Sequence, residues 1–508
     1  MILVAWDTDQ IKRYVFATPK LREIRGASAI LDDLNENQIP ELVRSVGNGQ
    51  TVYAGGGSAM AQVADQARAE NLIQEVERLY RRRTMSAEIT GAWIDMNDGN
   101  VSFGEYAQRL NFRLRTRKDE KARRRSLLTA PVLKACHSCG QFPAELEAEA
   151  DLICHSCEIK RRESRRVRDG ESMSRLSHLL AYANARGKWP GVSVRDNAPK
   201  EFNQIGEAAL PAGYIGFVYC DANRMGSLLS ELRDLDAFRG FSERIRDVLR
   251  EVTFDGLCRH FPDLRSNRLP FEIIFIGGDD VVLVVSADKA IDIAIYLCRE
   301  FERRSESVLK EAGVNSTRQR LSMSAAVVLS HASLPIYHLQ SIAEDLLHSA
   351  KRQSLDIFEK QDKDVGCIDF HVVTASASDL PSIMRRADWE REEEPLKLRL
   401  TERPYTAEDL DALAYRIRAL KATSFPSSKL QMLFEAIVDQ SMTRAKSQWA
   451  FVAGRARRNK ESSKDQLVNL AAFFDPAADR SVLPWRELEP NVLTTPIVDV
   501  AELYDFMR

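Results

Sequence analysis

Near the middle of the chain, Gly277-Gly278-Asp279-Asp280 combines residue types that can do chemistry. Two adjacent carboxylates with no basic neighbour repel each other unless a divalent cation neutralises them. The two glycines let the backbone bend and leave room for a bulky polyanion. The expected ligands are Mg²⁺ or Mn²⁺ and a nucleoside triphosphate. The flanking residues 271–276 and 281–285 are short, apolar and β-branched, so the tetrapeptide reads as a β-hairpin with its carboxylates at the tip. Gly-Gly and Asp-Asp also occur in ordinary turns, so the surroundings must decide. A third carboxylate, Asp221, closes another apolar run, residues 214–220. A strand-end carboxylate beside a hairpin carrying two more is what two-metal nucleotidyl transfer needs.

The elements that must position these groups follow in order. After Asp221 come a helical stretch, the hairpin, a helical pattern over 288–312, a strand at 321–329, a helix at 336–352 and a strand at 365–374. This β-α-β-β-α-β order with one added strand predicts an α+β palm, or ferredoxin-like sheet, with helices on one face. The N-terminal region has the same layout. A strand over 2–6 ends at Asp7, a helical stretch covers 10–35, and residues 51–54 lead into Gly55-Gly56-Gly57-Ser58 and the apolar run 59–63. We read this as an internal duplication whose first copy lacks the hairpin carboxylates. Its Gly-rich turn can receive a phosphate on backbone N–H groups without building a complete two-metal site.

Four of the eight cysteines form a second constellation, Cys136-x2-Cys139 and Cys154-x2-Cys157. Each pair supplies two corners of a tetrahedron, which predicts a structural Zn²⁺ site with no open position for substrate. His137 and His155 sit inside the two knuckles and are alternative ligands. Cys220, Cys258, Cys298 and Cys367 lie in apolar stretches, like ordinary core residues. Basic runs at 113–125 and 160–168 flank the cysteines; with acidic residues interleaved, they read as solvated helix faces rather than a nucleic-acid surface.

The 508 residues are 44% apolar, enough for several cores, and a net charge of −2 gives no overall pull toward nucleic acid or membrane. No apolar run reaches the ~20 residues of a membrane span, and the start lacks a signal-peptide pattern, so a cytoplasmic protein is expected. The implied organisation is a first palm (1–128), a zinc module with a helical connection (129–212), a second palm (213–376) and a helical C-terminal domain (377–508). Arg455, Arg457, Arg458 and Lys460 read as a solvated cluster.

Taken together, these features resemble the large palm-domain subunit of type III CRISPR interference complexes, which makes cyclic oligoadenylates. The resemblance rests on residues 6–9, 14–18, 21–28 and 55–58 in the first palm. In the second it rests on 221–226, Gly277 to Asp280, 322–328, 343–347 and Ala350-Lys351, and it covers nearly the whole length. It implies that Asp221, Asp279 and Asp280 hold two Mg²⁺ or Mn²⁺ ions, and that Gly277 and Gly278 belong to the nucleotide site. Lys351 would reach the triphosphate, and Gly55, Gly56, Gly57 and Ser58 would help seat a second ATP. Guide-RNA complex subunits and target RNA are implied partners, although a stand-alone role is also conceivable. Family members often begin with a His-Asp nuclease domain; this chain starts on the first palm and has no His-Asp dipeptide, so that activity is expected to be absent. The alternatives are a non-catalytic nucleotide-binding scaffold and a GTP-using cyclic dinucleotide synthase.

Overall fold

A computed structural model describes the chain except residues 98–100, 124–132, 230, 233, 265–267, 312–319, 374–388, 440 and 460–484. The first palm comprises β1 (Ile2–Asp9), α1 (Ile11–Val15), α2 (Leu21–Asp33), α3 (Ile39–Ser45), β2 (Gln50–Gly55), β3 (Ser58–Val63), α4 (Gln66–Thr84), β4 (Glu88–Asp95) and α5 (Phe103–Arg123). Its sheet order is β2-β3-β1-β4. Next come β5 (Leu146–Ala148), β6 (Asp151–Ile153) and α6 (His155–Asp169), then the short helices α7 (Arg175–Ala185), α8 (Val194–Asn197) and α9 (Phe202–Gly206).

The second palm contains β7 (Tyr214–Ala222), α10 (Met225–Leu229), α11 (Leu235–His260), β8 (Phe271–Gly277), β9 (Asp280–Ser286), α12 (Ala287–Glu311), β10 (Met323–His331), α13 (Ile336–Gln361) and β11 (Cys367–Val373). Its sheet runs β8-β9-β7-β10-β11, so its first four strands repeat the order β2-β3-β1-β4. Both edge strands even carry a register irregularity at matching places, between Thr51 and Tyr53 and between Ile273 and Phe275. Residues 128 and 376, where two expected boundaries fall, and Lys460 lie outside the described residues.

Helices cover both faces of each sheet, not one. Val218 and Cys220 pack with Ile291, Ala294 and Leu297 of α12, whereas Phe217 and Tyr219 pack with Leu339, Ala343 and Leu346 of α13. The reason lies in the strands themselves: β7, β9 and β10 are near-continuous apolar runs, which bury both faces rather than alternating in and out. In the first palm, α4 likewise covers Val4 and Trp6 while α5 covers Leu3 and Ala5. The palms exchange helices: α2 lies on β8 and α11 lies on β2, so each edge strand is covered by its neighbour.

The C-terminal region is helical, with Ala407–Ala422, Ser427–Asp439, Met442–Asn459 and Ile497–Leu503. It also holds a small sheet that the sequence reading did not foresee. β12 (Glu390–Glu393), β13 (Leu396–Arg399), β15 (Arg486–Glu489) and β16 (Val492–Thr494) pair in the order β12-β13-β16-β15, and β14 (Tyr405–Thr406) extends the palm sheet beside β11. Strands of three or four residues are too short to show a period in sequence. No helix among the described residues is long and apolar enough to cross a membrane.

The basic segment from Lys160 is a partial departure: α6 exposes Arg162, Arg166 and Arg168, as a solvated face does, but buries its first two basic residues. Lys160 and Arg161 are each only 1% exposed. Lys160 donates to the Tyr14 carbonyl at 2.6 Å, and Arg161 Nε donates to Glu23 Oε1 at 2.7 Å. Their charges are matched by carboxylates and a carbonyl distant in sequence, a pairing that composition alone cannot reveal. The two helices meet at Gly26, where an added Cβ would lie 1.9 Å from the Lys160 carbonyl oxygen. Gly26→Val should therefore force α2 and α6 apart and destabilise the protein by about 3 kcal/mol, toward the upper end of overpacking penalties. Thermal melting checks this, and an unchanged midpoint would show that the contact is not tight.

Candidate active site

The hairpin geometry brings the three central carboxylates to one place. In β8 and β9, Gly277 pairs with Asp280, leaving Gly278 and Asp279 as a two-residue connection. Across β9 and β7, Asp280 pairs with Asp221. The Ala222 N–H donates to the Asp279 carbonyl at 3.0 Å and ties the turn to the end of β7. Only Gly278 is fully exposed; Asp279, Asp280 and Asp221 are half-buried.

Two lysines approach this cluster, one from each palm. Lys351 of α13 places Nζ 2.7 Å from Asp221 Oδ1. Lys12 comes from the first palm: its Nζ donates to the Tyr219 hydroxyl at 2.5 Å and to Glu344 Oε1 at 2.9 Å, and lies 4.3 Å from the centre of the Tyr219 ring. Two ammonium groups thus face the three aspartates and Glu344, so negative charge is in excess. Burial, then the Asp221 charge, pushes Asp279 up to about 6, with Lys351 pulling the other way. Burial and both neighbouring aspartates push Asp280 well above the usual carboxylate range, with Lys12 and Lys351 opposing. Half-buried oxygens with excess negative charge form a donor set suited to hard divalent cations.

The first palm holds a reduced copy of this arrangement. Asp7 pairs with Ser58 as Asp221 pairs with Asp280, and Gly55 pairs with Ser58 as Gly277 pairs with Asp280. Lys118 of α5 lies 2.6 Å from Asp7 and 3.4 Å from Asp9, mirroring the Lys351–Asp221 contact. Sequence reasoning passed over Lys118 because it sits in a basic run read as solvated. Aligning the two palms through Asp7 and Asp221 could have found it. Nothing in the sequence marks Lys12 or Tyr219, and Glu344 lies in the stretch 343–347 that carries the resemblance without a role assigned to it.

The two Gly-rich turns touch. A Cβ on Gly56 would lie 2.5 Å from Gly278 N, and one on Gly277 would lie 2.4 Å from Gly56 Cα. Gly56 and Gly57 also have φ of +64° and +83°, which side chains rarely adopt. A side chain at Gly56 would therefore pry the palms apart before it could crowd a nucleotide.

The four clustered cysteines converge, with all sulfurs within 4.8 Å of one another. Cys136 and Cys157, and Cys139 and Cys154, are each 3.8 Å apart. That is the edge of a tetrahedron with metal–sulfur bonds of about 2.3 Å and far longer than a disulfide, so the set fits a Zn²⁺ ion. The knuckle histidines point elsewhere: His155 contacts Glu145 at 2.9 Å, and His137 Nδ1 accepts from the Leu152 N–H.

A paired-palm protein with one complete carboxylate cluster and one reduced copy is the class this geometry defines. Residues 214–358 match the family described as Cas10/Cmr2, second palm domain. Among solved structures, Csm1 from T. onnurineus is 14% identical, with a TM-score of 0.56 over 100% of this chain and 70% of that one. A Csm1–Csm4 cassette in complex with cA4 is 14% identical, with a TM-score of 0.53 over 89% of this chain and 64% of that one. A Csm1–Csm4 cassette in complex with one ATP is 14% identical, with a TM-score of 0.56 over 100% of this chain and 70% of that one. The chain spans 64% to 70% of the length of these structures. No curated protein sequence matches significantly. The chain has the fold of Csm1, and its residues 214–358 are similar to the Cas10/Cmr2 second palm domain.

The raised Asp279 and Asp280 values predict a cost in stability. The folded state holds these protons more tightly than the unfolded chain does, so their contribution is fully present below about pH 4; Asp279's part is lost as pH rises through about 6, and Asp280's part is lost as pH rises through its own raised value. Metal-free Asp279→Asn protein should melt a few degrees higher than the parent at pH 7.5 and by a smaller margin at pH 4.5. Differential scanning fluorimetry with and without Mn²⁺ reads both effects, since Mn²⁺ should raise the parent's midpoint more than the variant's. For the thiol cluster, one zinc per chain is expected, and Cys139→Ser should give poorly folded protein because binding energy at such sites is folding energy. Metal analysis of well-folded material without zinc would refute this.

Proposed function

We propose that this chain is a nucleotidyl cyclase that joins ATP through 3′-5′ bonds into a cyclic oligoadenylate signal, as part of type III CRISPR-like antiviral defence. One observation carries the reading. Asp221, Asp279 and Asp280 converge with excess negative charge where the turns of two palms meet, in the fold of proteins solved with ATP and cA4. Nucleotide binding is the coarser function that the family match and these complexes support. Association with a Csm4-like subunit is supported by the solved cassettes, and guide-RNA complex subunits and target RNA are partners that the family resemblance implies.

Roles follow from position. Asp221, Asp279 and Asp280 would hold two Mg²⁺ or Mn²⁺ ions, which supply charge neutralisation at the triphosphate and a more acidic 3′-hydroxyl. Lys351, paired with Asp221 here, would turn to the triphosphate once cations take that carboxylate. Gly277 and Gly278 keep the approach to the carboxylates free of side chains. On the first palm, Gly55, Gly56, Gly57 and Ser58 shape the facing surface, with Lys118 available to the phosphates of the second nucleotide. In each step the 3′-oxygen of one nucleotide would bond the α-phosphorus of the other, its proton would pass to solvent and pyrophosphate would leave. The cysteine module has no open coordination position and would act structurally.

The decisive experiment incubates purified protein with each labelled NTP and Mg²⁺ or Mn²⁺, then identifies products by mass. A cyclic oligoadenylate is expected. Replacing both Asp279 and Asp280 with Ala should abolish it while the protein stays folded and still binds partners. Asp221→Asn should act similarly, because an amide is a poorer Mg²⁺ ligand, and Lys351→Ala should be milder. Product that survives the double alanine change would place the chemistry elsewhere. Nucleotide binding without product would favour a scaffold, and a GTP-derived product would favour a cyclic dinucleotide synthase.

A further inference from the structure

The register irregularity in β8 lies at Ile274, between Ile273, which pairs with Leu283, and Phe275, which pairs with Val282. A bulged residue loses its place in the ladder, and β8 is the edge of its sheet, so the carbonyl of Ile274 needs another donor. The first palm supplies it: Ser28 Oγ, on α2, donates to the Ile274 carbonyl at 2.5 Å. One turn earlier on the same helix, Arg25 Nε donates to Glu272 Oε2 at 3.1 Å, and Arg25 also donates to the Pro199 carbonyl at 2.7 Å. All of this is buried, with Arg25 8%, Ser28 5%, Glu272 1% and Ile274 1% exposed. The other side of α2 is fixed to α6 through Gly26 and Glu23, so the helix is not free to follow a shifting strand.

We propose that Arg25 and Ser28 are positioning residues for the carboxylate hairpin. The first palm sets where Asp279 and Asp280 sit by holding the bulged strand that precedes them. Buried polar groups in this arrangement specify a single register. Without the hydroxyl, the Ile274 carbonyl is left unpaired, and β8 can relieve it by moving the bulge along the strand, which displaces the turn. Because the bulge is three residues before Gly277, the displacement reaches the metal-binding oxygens directly. Both residues are buried against β8 and act through it. The first palm then has a role that survives the loss of its own hairpin carboxylates. This deepens the cyclase reading and rests on it for the catalytic readout.

The test uses the full chain with Ser28→Ala, Ser28→Thr and Arg25→Lys. Ser28→Ala should lower kcat roughly tenfold with KM for ATP within about twofold, since misplaced catalytic groups affect rate more than binding. Ser28→Thr, which keeps the hydroxyl, should recover most of the rate, and Arg25→Lys should fall between them. Hydrogen exchange read by mass spectrometry should show peptides covering 272–280 exchanging faster in Ser28→Ala, with peptides of β7 unchanged. Unchanged exchange at 272–280, or a rate loss that Ser28→Thr does not relieve, would overturn the proposal. If Ser28→Ala proves unfolded, Arg25→Lys carries the same two readouts. Should the unaltered protein make no product from any NTP, the cyclase reading fails, and the exchange measurement alone still decides whether α2 holds the hairpin.

Discussion

The contact between two glycine turns is the constraint on which the rest depends. Gly56 of one palm meets Gly277 and Gly278 of the other at distances that exclude even a methyl group. Backbone can approach backbone this closely only where no side chain intervenes. The approach lets Lys12 cross from the first palm to Tyr219 and Glu344 of the second. A duplicated domain can lose its own chemistry and still be indispensable when its partner's site is built partly from it.

Electrostatics and packing pull in opposite directions at the carboxylate hairpin. Burial and mutual repulsion make Asp279 and Asp280 hard to ionise, yet ionised carboxylates are what a divalent cation requires. The fold tolerates the conflict because the strands behind the site are apolar on both faces and covered by α12 and α13, an arrangement stable enough to carry an unfavourable cluster at its rim. The reduced copy lacks the conflict, since Ser58 stands where Asp280 stands and Lys118 lies against Asp7. That difference gives a physical reason for cations to favour one palm over the other.

Much of this was legible in the sequence, for reasons that can be located. The hairpin could be read because its two strands are β-branched and its connection is glycine-rich, both local signals. The repeat could be read because a strand ending in Asp, a helix and a Gly-rich hairpin recur in the same order. The meeting of the four cysteines followed from their spacing. Most of the missing parts were non-local: the Lys160 and Arg161 pairings, the second helical layer, and the Lys12 and Lys118 contacts depend on elements that meet only after folding. The terminal sheet was hidden for a different reason, because its strands are too short to show a period and β13 pairs with β16 across nearly a hundred residues of chain.

The placement of α2 joins these observations. A helix that touches the cysteine module through Glu23, the first palm through Ile24 and Leu31, and the second palm through Arg25 and Ser28 has a different partner for each side. Such a helix cannot rotate or slide to accommodate one neighbour without breaking contact with another. Its sequence shows the consequence: Leu21-Arg22-Glu23-Ile24-Arg25-Gly26-Ala27-Ser28 has charged residues at buried positions and a glycine inside a helix, choices that an isolated amphipathic helix would not favour. Each departure is matched by a specific partner, Arg161 for Glu23, Glu272 for Arg25 and the Lys160 backbone for Gly26. A segment that breaks helix preferences yet satisfies its polar groups is specified by tertiary contacts, and here those contacts lead to the strand that carries the central hairpin.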